Sequence, residues 1–241
     1  MEPKISVIIP AFNEEKLLPR CLEALHNQSY PRDKFEVILI DNDSIDKTVE
    51  IGHDFGVRVY SYKNMYSPGT ARKLGAEKAK GSIIAYTDAD CIVFPDWLET
   101  IERAISDPQI VCIGGLSIPD KKTLWFTSLF TLFDWVHVVN HIFGKPIMPG
   151  YNMAIKKEAY EAVGGMNDKI LSAEDWDLAM RVGKRFGKKS VRYIRDMKVY
   201  TSTRKQDDLR VFLRYAKDGW KNYISVVLLG KTEAATVFNV R

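Results

Sequence analysis

The sequence predicts an α/β protein with a mostly parallel sheet flanked by helices on both faces. Three observations predict it. Short, near-continuous apolar runs rich in β-branched residues recur through the first hundred residues. Segments with apolar residues at helical spacing lie between them. Each strong run stops on a proline or an aspartate. Strands buried on both faces read as such runs, and parallel pairs need a crossover, usually a helix.

The first run is Ile5-Ser-Val-Ile-Ile9, which stops at Pro10. The second is Phe35-Glu-Val-Ile-Leu-Ile40, which stops at Asp41. Val57 to Tyr60 is a weaker third, and Ser82 to Thr87 a fourth that stops at Asp88. Helices are expected over Glu14 to Gln28, Asp46 to Phe55 and Gly69 to Lys80. In the first of these, Leu17, Leu18, Cys21, Leu22 and Leu25 share a face. After Pro95 a helix should run to Ile105 with Asp96 near its start, followed by a strand over Ile110 to Ile118. Thr123 to Phe143 is aromatic-rich and apolar on nearly every side. Gly150 to Ile155 reads as a strand and Lys157 to Val163 as a helix ended by Gly164-Gly165. Ala173 to Phe186 reads as another helix. The last third is basic and helical around Asp207 to Tyr223.

Composition sets outer bounds. With 241 residues, 46% of them hydrophobic and 27% charged, the chain can bury a core and is not a disordered polymer. Cys21, Cys91 and Cys112 lie far apart with no CxxC pair, a poor disulfide framework, so a reducing cytosol is expected. The amino-terminal segment reads as a strand rather than a signal peptide. No stretch of about 18 apolar residues predicts a spanning helix. The formal charge of +4 hides a division. Residues 181–241 carry 16 Lys+Arg against 5 Asp+Glu, whereas residues 1–180 carry 19 against 26. An acidic body and a basic C-terminal quarter should meet different things.

In open α/β sheets, ligands bind beyond the carboxyl ends of the strands. Four polar clusters fall there: Pro10-Ala11-Phe12-Asn13-Glu14, Asp41-Asn42-Asp43-Ser44-Ile45-Asp46, Asp88-Ala89-Asp90, and Glu174-Asp175 at a later helix start. Each has a local explanation. Asn13 and Asp46 suit helix caps, Asp41 a strand end, and Glu174-Asp175 a helix dipole, with Ser172 as cap and Asp175 as its box partner. Asp88-Ala89-Asp90 is harder to explain locally. In extended backbone the two carboxylates diverge, but a turn after the strand returns them toward one centre, where oxygen ligands suit Mg²⁺ or Mn²⁺. Arg72 sits in a Gly69-to-Gly75 helix start that matches neither a GxGxxG fingerprint nor a P-loop. It reads equally as an anion contact or a solvated charge. His137 and His141 have zinc-like spacing but no third ligand in view, so they are left out of the site.

The succession SVIIPAFNEE, FEVILIDNDSIDKT, GTARKLGAEKAKGSIIAYTDAD, GYNMAI and EDWDLAMRV resembles the inverting family 2 glycosyltransferases over residues 4 to 186. The resemblance implies a single GT-A domain with an acceptor-side subdomain and a basic helical C-terminal segment. The donor half would be 1–118, the acceptor half 119–200 and the extension 201–241. It implies that Pro10, Ala11, Asn13, Glu14 and Asp41 hold the nucleotide base and ribose, helped by Arg72, Asp88 and Ala89. The usual second-strand acid pair reads Asp41-Asn42 here, with Asp43 where Gly is common. Asp90, with Asp88, would hold Mn²⁺ or Mg²⁺, Asp175 would be the general base, and Glu174 its neighbour. The QxxRW motif of processive members is absent, which argues against a polymerase.

The implied reaction is one displacement at the anomeric carbon of a UDP- or GDP-sugar, with an acceptor hydroxyl deprotonated by Asp175. The expected partners are a nucleotide-sugar donor and a glycan or lipid-linked acceptor. Nucleic acid is not expected, because the body is acidic and no stacking motif is visible. A polyprenyl-phosphate acceptor is the alternative; being ionised, it needs no base. A catalytically silent nucleotide-sugar-binding module associated with membrane is a third reading. The aromatic segment with Trp125, Phe126, Phe130, Phe133 and Trp135 reads first as packing of the acceptor side, and second as an apolar groove or membrane-interface helix. Arg210, Arg214, Lys217 and Lys221 share a helical face, solvated or in contact with anionic lipid. Arg204, Lys205 and Trp176 are candidate diphosphate or acceptor contacts. The expected location is cytoplasmic, with peripheral contact at the inner membrane face as the further option.

Overall fold

The computed structural model describes residues 3–63, 65, 67–170, 172–204 and 209–230. In chain order the strands are β1 (Ile5–Ala11), β2 (Phe35–Asp41), β3 (Arg58–Ser61), β4 (Ile83–Thr87), β5 (Cys91–Val93), β6 (Cys112–Pro119), β7 (Asn152–Lys156) and β8 (Val191–Thr201). The α-helices are α1 (Leu18–His26), α2 (Thr48–Asp54), α3 (Pro68–Lys78), α4 (Trp97–Ile105), α5 (Leu124–Ile142), α6 (Lys157–Ala162), α7 (Glu174–Phe186) and α8 (Leu209–Asn222). The strands form one mixed sheet in the order β3-β2-β1-β4-β7-β6-β8-β5.

Strands β3, β2, β1 and β4 are parallel, as their apolar runs predict. Alternation along each strand sends successive side chains to opposite faces. Val7 and Ile9 join Leu18, Leu22, Trp97 and Ile101 in one core, while Ile8 joins Ala71, Leu178 and Val182 in the other. Thus α1 and α4 cover one face, and α3 and α7 the other. Gly75 lets α3 lie close: a Cβ there would come 2.3 Å from Ile8 Cγ2.

β1 continues through Pro10, two residues beyond the expected end. Its pairing with β4 finishes at Ile8–Tyr86, and Pro10 is in register only with Ile40 of β2. A residue without an N–H fits where one neighbour has ended.

Beyond β4 the sheet turns antiparallel: β7 pairs with β4, placing Asn152 opposite Thr87. Two strands were not expected. β5 has three residues, too few for a periodic signal. β8 has eleven, but Arg192, Arg195, Asp196 and Lys198 interrupt it, and its partly exposed pattern hides the strand within a basic stretch. The helix expected around Asp207 begins at Leu209 in the described residues; Lys205 and Asp207 lie outside them.

β8 runs parallel to β6 with a bulge: Gly115 faces Ile194 while Leu116 faces Lys198. A Cβ on Gly115 would come 2.1 Å from Met197 O, so only glycine fits. Asn152 secures the bulge. Its Nδ2 donates to Leu116 O and Met197 O, both at 3.0 Å, and its Oδ1 accepts from Trp97 Nε1 at 2.9 Å. Asn152→Leu would leave these buried groups unpaired, at about 1–3 kcal/mol each. We expect urea denaturation to show a loss of about 3 kcal/mol or more; an unchanged midpoint would mean that the bulge finds other partners.

Candidate active site

The order of chain connections reverses between β1 and β4, so a crevice opens beyond their carboxyl ends. Side chains lace together the loops that leave β1 and β2. Asn13 N–H donates to Ser44 Oγ at 2.8 Å, and Asn13 Oδ1 accepts from Ile45 N–H at 2.9 Å. Glu14 N–H donates to Thr48 Oγ1, and Glu15 N–H to Asp46 Oδ2. Asp46 also accepts from Thr48 N–H at 3.0 Å, which turns the chain just before α2, whose cap position is taken by Lys47 rather than by Asp46. Buried Asp41 accepts from Ser44 N–H, and Ala11 lies opposite it in the sheet, next to Pro10. Asn42 exchanges two hydrogen bonds with the backbone of Met65, which gives this departure from the family pattern a loop-holding part.

α3 begins with Ser67, whose Oγ accepts from Thr70 N–H at 3.2 Å, and Pro68 occupies the first turn. One turn on, Arg72 points into the protein and is not a solvated helix charge. Its Nη2 donates to Asp88 Oδ1 and its Nη1 to Glu174 Oε1, both at 2.7 Å. Burial works against the charge, but Asp88, Glu174 and Asp175 more than offset it and hold the guanidinium protonated. Gly69 makes room for this contact: a Cβ there would lie 2.5 Å from Glu174 Cγ.

Glu174 and Asp175 open α7. The residue before them is Ala173, with φ of 72° and no side-chain cap bond. The capping box expected of Ser172 and Asp175 is therefore not formed, because the left-handed turn at Ala173 takes the cap position. Asp175 is held instead by backbone N–H groups, from Gly150 to Oδ2 at 2.6 Å and from Trp176 to Oδ1 at 2.9 Å. Burial raises the proton affinity of both acids, and for Glu174 the neighbouring Asp175 carboxylate adds to the rise. Asn13, Asp43 and Ala173 are the positive-φ residues other than glycine among the described residues, and all three lie in loops around this crevice. Such strain concentrates at functional sites.

Asp88 and Asp90 flank a turn between β4 and β5, closed by Cys91 N–H donating to Asp88 O at 3.0 Å. Ala89 at the turn's centre is buried. From the start of the C-terminal segment, Arg204 forks onto the Glu14 carboxylate and stands 3.2 Å from Asp90 Oδ2. Trp176 lies edge-on to Tyr223, with centroids 6.4 Å apart.

The crevice thus gathers residues from positions 10 to 204. Gly150, Gly69 and Asn152 were missed as supports; a glycine or asparagine in a strand-like or helical stretch carries no local sign of what it will abut. His137 is committed elsewhere, with Nδ1 3.1 Å from Ile147 O and its ring stacked on Tyr193. A cavity of 590 Å³ lined by Lys4, Ser82, Glu102 and Lys156 lies at the amino ends of β1 and β4 and holds none of these groups.

The family model for Glycosyl transferase family 2 matches residues 6–164. The chain is 29% identical over 184 residues to glycosyltransferase AglE of Haloferax volcanii, covering 72% of this chain and 59% of that protein. It is 33% identical over 198 residues to the probable glycosyltransferase YdaM of Bacillus subtilis, covering 75% of this chain and 46% of that protein. The chain therefore spans about half the length of these relatives. Among solved structures, the mannosyltransferase PcManGT of Pyrobaculum calidifontis with GDP-Man and Mn²⁺ superposes with a TM-score of 0.71 at 21% identity, over 95% of this chain and 63% of that one. Glucosyl-3-phosphoglycerate synthase of Mycobacterium tuberculosis with Mn²⁺, UDP and glucosyl-3-phosphoglycerate superposes at 0.65 and 18% identity, over 90% of this chain and 78% of that one.

Removing Arg72 should expose the central dependence. Arg72→Met leaves buried Glu174 without its counter-charge, and breaking such a pair costs about 3–5 kcal/mol. A thermal or chemical midpoint within error of the parent would refute this account of the site.

Proposed function

The chain belongs to glycosyl transferase family 2, and on that premise we propose that it inverts a sugar in transfer from a UDP- or GDP-linked donor to an acceptor hydroxyl. The fold is that of the GT-A neighbours, and the chain is a glycosyltransferase. The observation that carries the finer reading is the setting of Asp175. Two backbone N–H groups aim its carboxylate, burial raises its proton affinity, and Arg72 bonds its neighbour Glu174 to the Asp88–Asp90 turn. A general base works best when its pKa approaches the working pH, so the rise is in the useful direction.

The donor would lie along the carboxyl ends of β1 and β2, with Asp41, Asn13 and Glu14 toward the base and ribose. Asp90 fits a divalent cation better than Asp88, whose Oδ1 accepts from the buried Arg72 at 2.7 Å, whereas Asp90 meets the more exposed Arg204 at 3.2 Å. Among the described residues no group of three or more His, Cys, Asp or Glu side chains could surround a metal ion. The protein would then supply one or two carboxylates and leave the remaining positions to diphosphate and water, a habit of Mg²⁺. The Arg204 guanidinium against Glu14 and Asp90 supports the fit, since these acids already attract a cation. When bound, Mn²⁺ or Mg²⁺ would neutralise charge on the departing diphosphate. Arg204 would add positive charge on the same side. Residues 1–118 would form the donor half and 119–200 the acceptor half. Residues 201–241 would form the extension, of which the described helix α8 meets α5 where Phe212 lies edge-on to Trp125.

One observation favours the phosphate-acceptor alternative: Trp176, beside Asp175, leads through Tyr223 to an exposed aromatic surface suited to a lipid chain. The two readings separate on Asp175→Asn. With a hydroxyl acceptor, kcat should fall by about 10²–10⁴-fold; with a phosphate acceptor, substantial turnover should remain.

The pH profile gives a second test. Asp175 must be ionised to accept a proton, and its pKa is raised by burial. Activity should therefore be lost as pH falls through a value above the ordinary aspartate figure of about 3.9. That acid limb should vanish in a phosphate-acceptor reaction. Thermal-shift screening of UDP and GDP with and without Mn²⁺ tests donor and cation together, and Asp90→Asn should abolish the metal-dependent part. A shift of the same size without metal, retained by that variant, would remove Asp90 from the cation site.

A further inference from the structure

α5 is apolar on two faces. Phe126, Leu129 and Phe130 pack inward beside the polar Asp134 and Asn140, whereas Leu132, Trp135, Val139 and Ile142 face out, with Trp135 60% and Ile142 72% exposed. The buried polar residues are held from the protein side: Asp134 Oδ2 pairs with Arg195 of β8, and Asn140 Oδ1 accepts from Tyr223 Oη at 2.9 Å. The second apolar face is left as a stripe facing outward at i, i+3, i+7 and i+10 spacing.

α8 continues this face. Trp125 meets Phe212 edge-on with centroids 6.0 Å apart, and Tyr223 reaches Asn140, so α8 and the π-helical turn Tyr223–Leu228 lie along α5. Leu213 and Trp220 are exposed, the latter by 64%. Helical spacing sets Arg210, Arg214, Lys217 and Lys221 in a stripe beside them, all four exposed. The surface thus combines indole and aliphatic groups with a flanking row of cations. It lies in the part of the chain with 16 Lys+Arg against 5 Asp+Glu. Contiguous exposed apolar surface of this kind marks a contact site, and indoles beside cations suit the headgroup boundary of a bilayer.

We propose that the face shared by α5 and α8 docks on the surface of an anionic lipid bilayer. The charge complement selects this occupant, since the cationic stripe would repel its like on a second copy of the chain. The contact lies on the membrane and does not cross it: among the described residues no helix is long and apolar enough to span. The docked face also leads inward. Exposed Trp220 stacks on Tyr223 at 5.8 Å, and Tyr223 abuts Trp176, next to Asp175. This row would bring a lipid-borne acceptor to the base. That last clause rests on the transferase reading, whereas the docking itself does not.

Vesicle co-sedimentation of the whole chain tests the docking without reference to turnover. Vesicles of phosphatidylcholine with about one-third phosphatidylglycerol should bind the protein, with a blue shift of tryptophan emission, and high salt should weaken the binding. Arg214→Gln/Lys217→Gln/Lys221→Gln should lower partition on the order of a hundredfold, at about fivefold per cation removed. Trp135→Ser/Ile142→Ser should abolish the blue shift with the circular dichroism spectrum unchanged. Equal binding to pure phosphatidylcholine would overturn the anionic assignment. A stable dimer that hides the tryptophans and ignores vesicles would overturn the proposal in favour of a second copy. If partition succeeds while no nucleotide binds, the docking stands and the transferase reading of the site fails.

Discussion

A guanidinium that is 5% exposed must find its counter-charges inside the protein, and Arg72 finds them on two elements far apart in the chain. Asp88 follows β4, and Glu174 opens α7. Neither acid could sit there alone without a desolvation cost of several kcal/mol per charge, so the three groups are placed together or not at all. The surroundings follow from this requirement. Gly69 thins α3 where Glu174 approaches, and Gly150 brings its N–H to Asp175 at a distance that a Cβ would disturb.

Satisfying Glu174 through Arg72 also shapes its neighbour. Asp175 is left with two backbone N–H donors that fix its carboxylate, and burial outweighs them to raise its proton affinity. The left-handed Ala173 sets the entry angle of α7, and left-handed Asn13 and Asp43 shape the loops opposite. Backbone strain of about 1–2 kcal/mol at each is held in place by the lattice of side-chain bonds among Asn13, Ser44, Asp46 and Thr48. At the other end of the molecule, α5 follows the same rule. Asp134 and Asn140 go inward beside Phe126, Leu129 and Phe130 because Arg195 and Tyr223 receive them, and a second apolar stripe is left outside.

The parallel half of the sheet was legible because β1, β2 and β4 are buried on both faces and therefore carry unbroken apolar runs. The polar clusters beyond their ends were legible for the same reason, since a carboxylate after such a run has few other places to be. β8 was not legible: at its exposed positions Arg192 and Arg195 serve solvent and Asp134, and a strand with charges in it resembles a basic coil. The box expected at Ser172 failed because left-handed Ala173 takes the cap position and the N–H groups of Gly150 and Trp176 hold Asp175. The bulge at Gly115 was hidden because its cause, Met197 O, comes from a segment eighty residues away.

Local periodicity was sufficient for the fold class, and the strand end for Asp88 and Asp90; Arg72, Glu174 and Asp175 were singled out by the family resemblance. Fold class depends on neighbours within a few residues, where side-chain pattern and backbone conformation are directly coupled. What required the folded chain was the pairing: Arg72 as a buried bridge rather than a surface charge, Arg204 against Glu14 and Asp90, and the outward apolar face of α5 and α8. Each joins groups separated by tens to nearly two hundred residues. Their energies arise from distance and burial in space, which a linear pattern does not contain.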